Sequence, residues 1–579
     1  MTGVDMETLK EYMVAAINCE PKMFEKEKNL AKQYALVEAA AQNGAKLIAL
    51  PEMATTGYCW YNREEVSPYV EAIPGPTTDL FGTIARKYNC YIVVGMPEVN
   101  TTTGAYYNSA VLIGHDGVVG THRKTHGYIS EPKWTKQGDL DHIVFETPIG
   151  KIAMLICMDI HFIETARLDG VRGADVIVHI SNWLAEKTPA PYWINRAYEN
   201  GCYVLEANRI GLERTVEFSG GSCLINPDGT LQSYCDSEET IVYGTVQLDK
   251  ARENKFENGM EKFGSRRPEL YMDLLRDPYL WNPLDFHPLY GHDPLPTGKK
   301  SIVSVCQMAR SDDAAANLER MLSKARDAAA AGSELIVFPE LSLCSKKNPV
   351  AEGSAAIDAL IDCAMKNGIY IVFGAAEQDG RSLYNSAFMV GPHGLEGKYR
   401  KIHLSEEDKQ WAKEGNLGFV YCNIPCGRVG LMIGTDALIP ETGRVLALRG
   451  CDMLACPSSV DCPVPYGLRG TKAGHNYPIP KGYSTIHWHL WRVRGGENNC
   501  YMLFANALSA DSFGRSGIFG PDTFKFPRDE RICSADKEEL VSMTVDTSSA
   551  ADSVYPTNVV RRKDLVSMRQ PLWYDPLVM

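Results

Sequence analysis

The stretch Leu47-Ile48-Ala49-Leu50-Pro51-Glu52 decides the fold, because it returns as Leu335-Ile336-Val337-Phe338-Pro339-Glu340. Each copy is an apolar run of buried-strand length, closed by a proline and one glutamate. Working outward, Tyr107-Asn108-Ser109-Ala110 returns as Tyr384-Asn385-Ser386-Ala387, and His122-Arg123-Lys124 as Tyr399-Arg400-Lys401. Leu155-Ile156-Cys157-Met158-Asp159 then returns as Met432-Ile433-Gly434-Thr435-Asp436. Lys124 to Cys157 and Lys401 to Gly434 are both 33 residues, so the match has no slack where cysteine becomes glycine. Later segments agree too: Asn200-Gly201-Cys202-Tyr203 with Asn498-Asn499-Cys500-Tyr501, and Arg266-Arg267-Pro268-Glu269-Leu270 with Arg561-Arg562-Lys563-Asp564-Leu565.

At 579 residues the chain is too long for one ordinary domain, and the repeat cuts it into halves of about 290 residues. Domains are expected at 1–285 and 298–579, joined within Asp277 to Lys300. That linker is rich in Pro, Trp, Tyr and His, which predicts a segment packed on the domains. The halves differ by insertions. Glu to Lys spans 72 residues in the first and 61 in the second. The second has 21 more between its cysteine-equivalent and Asn506, within roughly Pro457 to Trp488, read as a Pro/Gly-rich loop.

Within each half, β-rich runs alternate with helical patterns. Strands are predicted at Met13 to Ile17, Lys46 to Leu50, Cys90 to Gly95, Ser109 to Ile113, Ile152 to Cys157, Val176 to Ile180 and Tyr203 to Ala207. A helix is predicted from Glu25 to Asn43, stopped at Gly44, with others at Asp79 to Tyr88 and Glu164 to Leu168. The second half repeats the order, with strands at Ile302 to Val305 and Leu335 to Phe338 about a helix from Ala314 to Ala331. This is the pattern of an α/β domain with helices covering sheets. Glu52 and Cys157 fall where strands give way to loops, the usual place for chemistry in such sheets.

Composition is that of a globular protein, 45% hydrophobic and 23% charged. A formal net charge of −13 leaves no basic footprint for nucleic acid or an anionic membrane. Between Met1 and Glu20 the one apolar run, Tyr12 to Ile17, is too short for a signal peptide or a membrane span. Seventeen cysteines, many inside apolar runs, predict buried thiols in a reducing, cytoplasmic setting. Cys451, Cys456 and Cys462 with His487 and His489 match no zinc spacing and read as buried thiols plus loop histidines.

A cysteine nucleophile needs a base, a donor for developing negative charge and a defined approach. Cys157 offers the thiol at a strand-to-turn junction, and Glu52 can take its proton and pass it to a leaving amine. Lys124 supplies positive charge to the thiol and to an oxyanion, with the Met158 backbone N–H as second donor. Tyr58, Trp60, Trp134, His161 and Trp183 are the aromatic candidates for substrate contact.

Pro-Glu after an apolar strand, Arg-Lys later, and Cys-x-Asp after another apolar strand resemble the nitrilase superfamily of carbon–nitrogen hydrolases, once per half. The resemblance implies two tandem α-β-β-α sandwich domains, a Glu52–Lys124–Cys157 triad, and no cofactor. It further implies hydrolysis of a nonpeptide C–N bond through a thioester, with a small-molecule amide as the expected substrate and N-carbamoyl compounds or nitriles as alternatives. A second active-site glutamate commonly follows the lysine in this family, and Glu131 is the candidate. The family pairs subunits through helices near the nucleophile. The two halves are therefore expected to pair within the chain, and a further homo-oligomer is compatible. The second half keeps Glu340 and Lys401 as an expected structural ion pair without a nucleophile. Thr435 is no substitute, because neighbours in an extended run face opposite ways. With Cys157 present in one half only, a scaffold with both halves inactive is the disfavoured alternative.

Overall fold

The computed structural model describes residues 9–128, 130–184, 189–235, 238–277, 287–460, 485–509, 512, 514–523, 529–548 and 556–579, with the backbone alone over 485–489. They form two compact units, the first ending at Asn254 and the second beginning at Lys255.

In the first unit, six strands line up in the order Thr240–Gln247, Glu11–Asn18, Leu47–Ala49, Tyr91–Val99, Tyr106–Gly114, Gly117–Arg123. A second six-stranded sheet runs Leu231–Cys235, Ser222–Ile225, Tyr203–Asn208, Val176–Ser181, Gly150–Ile156, Phe145–Thr147. The three middle strands of each sheet's core run parallel, which requires cover on both faces. One face of each meets the other sheet, as where Glu11–Asn18 packs on Tyr203–Asn208. Helices supply the outer layers. Lys26–Gln42 buries Asn29, Gln33, Val37, Ala40 and Ala41, one stripe at helical spacing, and Gly44 follows in a left-handed conformation that ends it. With Pro76–Tyr88 it closes a core over Ile17, Ile48, Ile92 and Val111. Ile163–Val171 and Pro191–Asn200 lie on the second sheet. This is the α-β-β-α sandwich, and the predicted strands and helices are present with ends shifted by a few residues.

The second unit repeats the sandwich. Its first set is Glu539–Asp546, Lys300–Ala309, Ser333–Val337, Tyr370–Asp379, Ser382–Gly391 and Gly394–Arg400. Its second is Glu530–Ile532, Gly517–Phe519, Tyr501–Leu508, Met453–Ser458, Gly427–Leu431 and Tyr421–Ile424. Here the sets join through Met308–Ala507 and Ala309–Leu508 into one twelve-stranded sheet, where the first unit has the isolated bridge Cys19–Arg209.

The segment 255–277, placed with the first half by the repeat, packs in the second unit: Arg266 on Glu441 at 2.7 Å, Tyr271 on His403 at 2.8 Å, Arg449 on Asp273 at 2.8 Å. The described part of the linker is anchored there too, with the Tyr421 hydroxyl accepting from the Asp293 amide at 3.1 Å. Most of the 457–488 insertion, Cys462 included, lies outside the described residues. His487 and His489, read as loop residues, belong to the helix Thr485–Glu497. All sixteen described cysteines are free thiols. No described helix is long and apolar enough to cross a membrane.

Candidate active site

Strand ends of the first unit deliver the candidate groups. Glu52 stands three residues past Leu47–Ala49, Cys157 directly past Gly150–Ile156, Asn182 past Val176–Ser181, and Lys124 past Gly117–Arg123. The Lys124 amide donates to Asn108 O at 2.9 Å, so pairing with Tyr106–Gly114 fixes where the lysine emerges.

The charged groups form one buried cluster. Lys124 Nζ lies 2.8 Å from Glu52 Oε1 and 2.6 Å from Glu131 Oε2. Asn108 Nδ2 donates to both carboxylates, at 2.6 Å to Glu52 and 2.7 Å to Glu131. Glu52 Oε2 accepts from the Asn182 amide at 2.8 Å, and Glu131 Oε2 from the Tyr58 hydroxyl at 3.0 Å and the Tyr128 amide at 2.7 Å. Both glutamates are fully buried. Burial opposes the charge on Lys124, but the negative surroundings, with the Glu131 and Glu52 carboxylates in direct contact, hold the ammonium well above the usual lysine range. Burial pushes Glu131 up, against Lys124.

Cys157 opens a tight 3₁₀ turn, Cys157–His161, with φ +47°. That left-handed backbone costs a non-glycine residue roughly 1–2 kcal/mol. Asp159 braces the turn, accepting from the amides of Ile156 (3.1 Å), Thr125 (3.1 Å) and His126 (2.9 Å) and from His122 Nε2 (2.9 Å). The turn is thereby tied to the loop that carries Lys124. Burial, then the charges of Glu52 and Glu131, raise the Cys157 thiol well above its ordinary value despite Lys124. The resting group is therefore a thiol, and the expected pull of Lys124 toward thiolate is outweighed.

Among the predicted aromatics, Tyr58 reaches the acid cluster directly. Trp60 donates to Gly57 O at 2.9 Å and packs on Tyr69 and Phe24; Trp134 shares its cluster with Met53, Tyr58 and Phe218. His161 stacks on Trp183 at 4.9 Å, beside Asn182. Four site residues carry no role in the sequence reading: Asn108, Asp159, Asn182 and Glu213. Glu213 accepts from the amides of Tyr58 (2.7 Å) and Cys59 (2.6 Å), pinning the loop beyond Glu52. Asn108 and Asp159 left a trace, since both recur in the repeat as Asn385 and Asp436.

In the second unit the cluster persists without the thiol. Lys401 Nζ lies 2.7 Å from both Glu340 Oε1 and Asp408 Oδ2, and Asn385 donates to both carboxylates at 2.7 and 2.9 Å. Asp408 stands where Glu131 stands, one methylene shorter. Gly434 keeps the turn at φ +44°, and a Cβ placed on it would meet Glu340 Oε2 at 2.6 Å. The Thr435 hydroxyl donates to His403 O at 2.6 Å.

The profile of the carbon–nitrogen hydrolases matches residues 13–256 and again 302–552. A relative from Pyrococcus abyssi named nitrilase is 35% identical over 260 residues, covering 45% of this chain and 98% of its own. The bovine omega-amidase NIT2 is 29% identical over 261 residues, 42% of this chain and 92% of its own. Among solved structures, Nit3 of Saccharomyces cerevisiae, described as a member of branch 10 of the nitrilase superfamily, is similar at 22% identity and TM-score 0.39, over 43% of this chain and 95% of that one.

Proposed function

This chain belongs to the carbon–nitrogen hydrolase family, and from that premise we propose that its first domain hydrolyses a small-molecule amide through a Cys157 thioester. The observation that carries the reading is the buried Lys124, gripped at 2.8 and 2.6 Å by Glu52 and Glu131 beside a thiol that keeps its proton. A thiol of raised pKa needs a base at the moment of attack, and Glu52 fills that role. As sulfur adds to the amide carbonyl, Glu52 takes the thiol proton. Lys124 Nζ and the Met158 N–H meet the oxyanion. Collapse breaks the C–N bond, Glu52 returns the proton to the departing ammonia, and an acyl-thioester remains. Water, deprotonated by Glu52, then adds to the thioester; the carboxylic acid leaves and the thiol is restored. Glu131 and Asn108 hold Lys124 and Glu52 in place.

Charge pairing favours a plain amide over an N-carbamoyl amino acid, whose carboxylate wants a free cation. Among the described residues near the triad, Arg123 is matched by Glu98, Arg209 by Glu213 and Arg214 by Glu65. The test is ammonia release from a panel of primary amides, carbamoyl compounds and nitriles; CO₂ appearing with ammonia would reassign the substrate to the carbamoyl class. Cys157→Ala should abolish turnover with the fold intact, and hydrolysis that persists in it would overturn the mechanism. For the second domain we propose an architectural role.

A further inference from the structure

The two units carry the same elbow and differ in what lies beneath it, which makes the second a control for the first. In the first unit the parallel register pairs His179 with Glu206 across adjacent strands. The same register in the second unit pairs Cys456 with Phe504. His179 Nδ1 hydrogen-bonds Glu206 Oε2, whose other oxygen accepts from Ser181 Oγ, and His179 Nε2 lies 3.1 Å from the backbone carbonyl of Cys157. A carbonyl only accepts, so Nε2 carries the hydrogen of that contact, and Glu206 at the opposite nitrogen fixes the ring's orientation. Both side chains are wholly buried.

A buried polar pair of this kind is costly, and the second unit shows that the fold does not need it. There Phe504 instead packs on Trp491 with ring centroids 4.1 Å apart. Nor does the elbow need it. The Asp436 brace persists, with the Ile433 amide at 2.8 Å and the His403 amide at 3.0 Å, and the backbone angle is the same within a few degrees. What left together with the pair is the side chain at the elbow. Glycine takes a left-handed angle without strain, whereas cysteine must be held in it.

We propose that His179 and Glu206 are a positioning pair for Cys157: they clamp its carbonyl, hold the strained turn and so aim the sulfur between Glu52 and Lys124. This rests on the reading of Cys157 as the nucleophile. Neither side chain touches substrate, and the pair acts only through the backbone it holds.

The experiment transplants the second unit's solution into the first, as the double variant His179→Cys, Glu206→Phe in the full-length chain. The expected result is a kcat at least 30-fold lower with KM within 3-fold, and a matching fall in the rate at which iodoacetamide labels Cys157. Glu206→Gln, which keeps a hydrogen-bond partner for the ring, should leave kcat within about 5-fold of the parent. A double variant whose kcat and labelling rate stay within 3-fold of the parent overturns the proposal. If the double variant does not fold, Glu206→Gln compared with Glu206→Leu decides it: equal kcat in the two sinks the clamp. Cys157→Ala is run alongside. Activity surviving there would refute the nucleophile itself, an outcome distinct from failure of the clamp.

Discussion

At the residue scale the contrast between Cys157 and Gly434 is sharper than the loss of one sulfur. A Cβ at 434 would lie only 2.6 Å from Glu340 Oε2, so a side chain added there crowds a carboxylate already held by Asn385 and Lys401. Gly434→Cys should therefore add no turnover: ammonia release should match the parent, and Gly434→Cys in a Cys157→Ala background should be inactive. The raised thiol predicts that alkylation of Cys157 in the free protein is still accelerating at pH 9, where an ordinary cysteine, with a pKa of about 8.5, is levelling off. Asp159 gives a prediction of opposite sign. Burial would raise it, but hydrogen bonds from His122 and His126 hold it well below the usual aspartate range. A depressed pKa contributes stability that is complete above the unfolded value of about 3.9 and is lost as pH falls through the folded value. Thermal melts should show Asp159→Asn well below the parent at pH 7, with the gap narrowing below pH 4.

At the element scale, the strand Tyr91–Val99 lies so close behind the glutamate loop that Gly95 has no room for a side chain. An added Cβ would fall 2.3 Å from Pro51 O and 2.6 Å from Glu52 Cα. Gly95→Ala should displace Glu52 and lower kcat by about 100-fold per ångström of misplacement. Gly374→Ala, with the same clash against Glu340 at 2.6 Å, should lower the melting temperature and leave kcat alone. The strands that carry Glu52, Lys124 and Cys157 were legible in the sequence because short apolar runs repeat with their motifs. Other elements were not. Helix Pro191–Asn200 is buried at all ten positions although Asn195, Arg196, Glu199 and Asn200 are polar, so its pattern in the sequence is that of a surface helix and does not show its burial. His179 and Glu206 are 27 residues apart and meet only through strand register, which no local pattern encodes. The acid cluster stood between these extremes: Asn108 was visible as a repeated letter, but its grip on both glutamates appears only once the strands are paired.

At the scale of the whole molecule, the second domain keeps the ionic cluster and the brace and has Gly434 where the first has Cys157. Lys401→Met would leave Glu340 and Asp408 buried without their cation. The expected cost is about 3–5 kcal/mol of stability with kcat unchanged, read by denaturant titration beside steady-state kinetics; loss of activity in a folded variant would instead give the second site a part in the reaction. The near-equal backbone angles at Cys157 and Gly434 make the two turns unequal in what they tolerate. Glycine holds the left-handed angle without strain, so the second turn keeps its shape with no histidine–glutamate pair beneath it. Giving that turn a thiol would take Gly434→Cys, Cys456→His and Phe504→Glu together, and each by itself is a burden: a strained elbow, an unpaired imidazole or a buried lone carboxylate. The second copy is therefore the easier of the two turns to fold and the harder to arm.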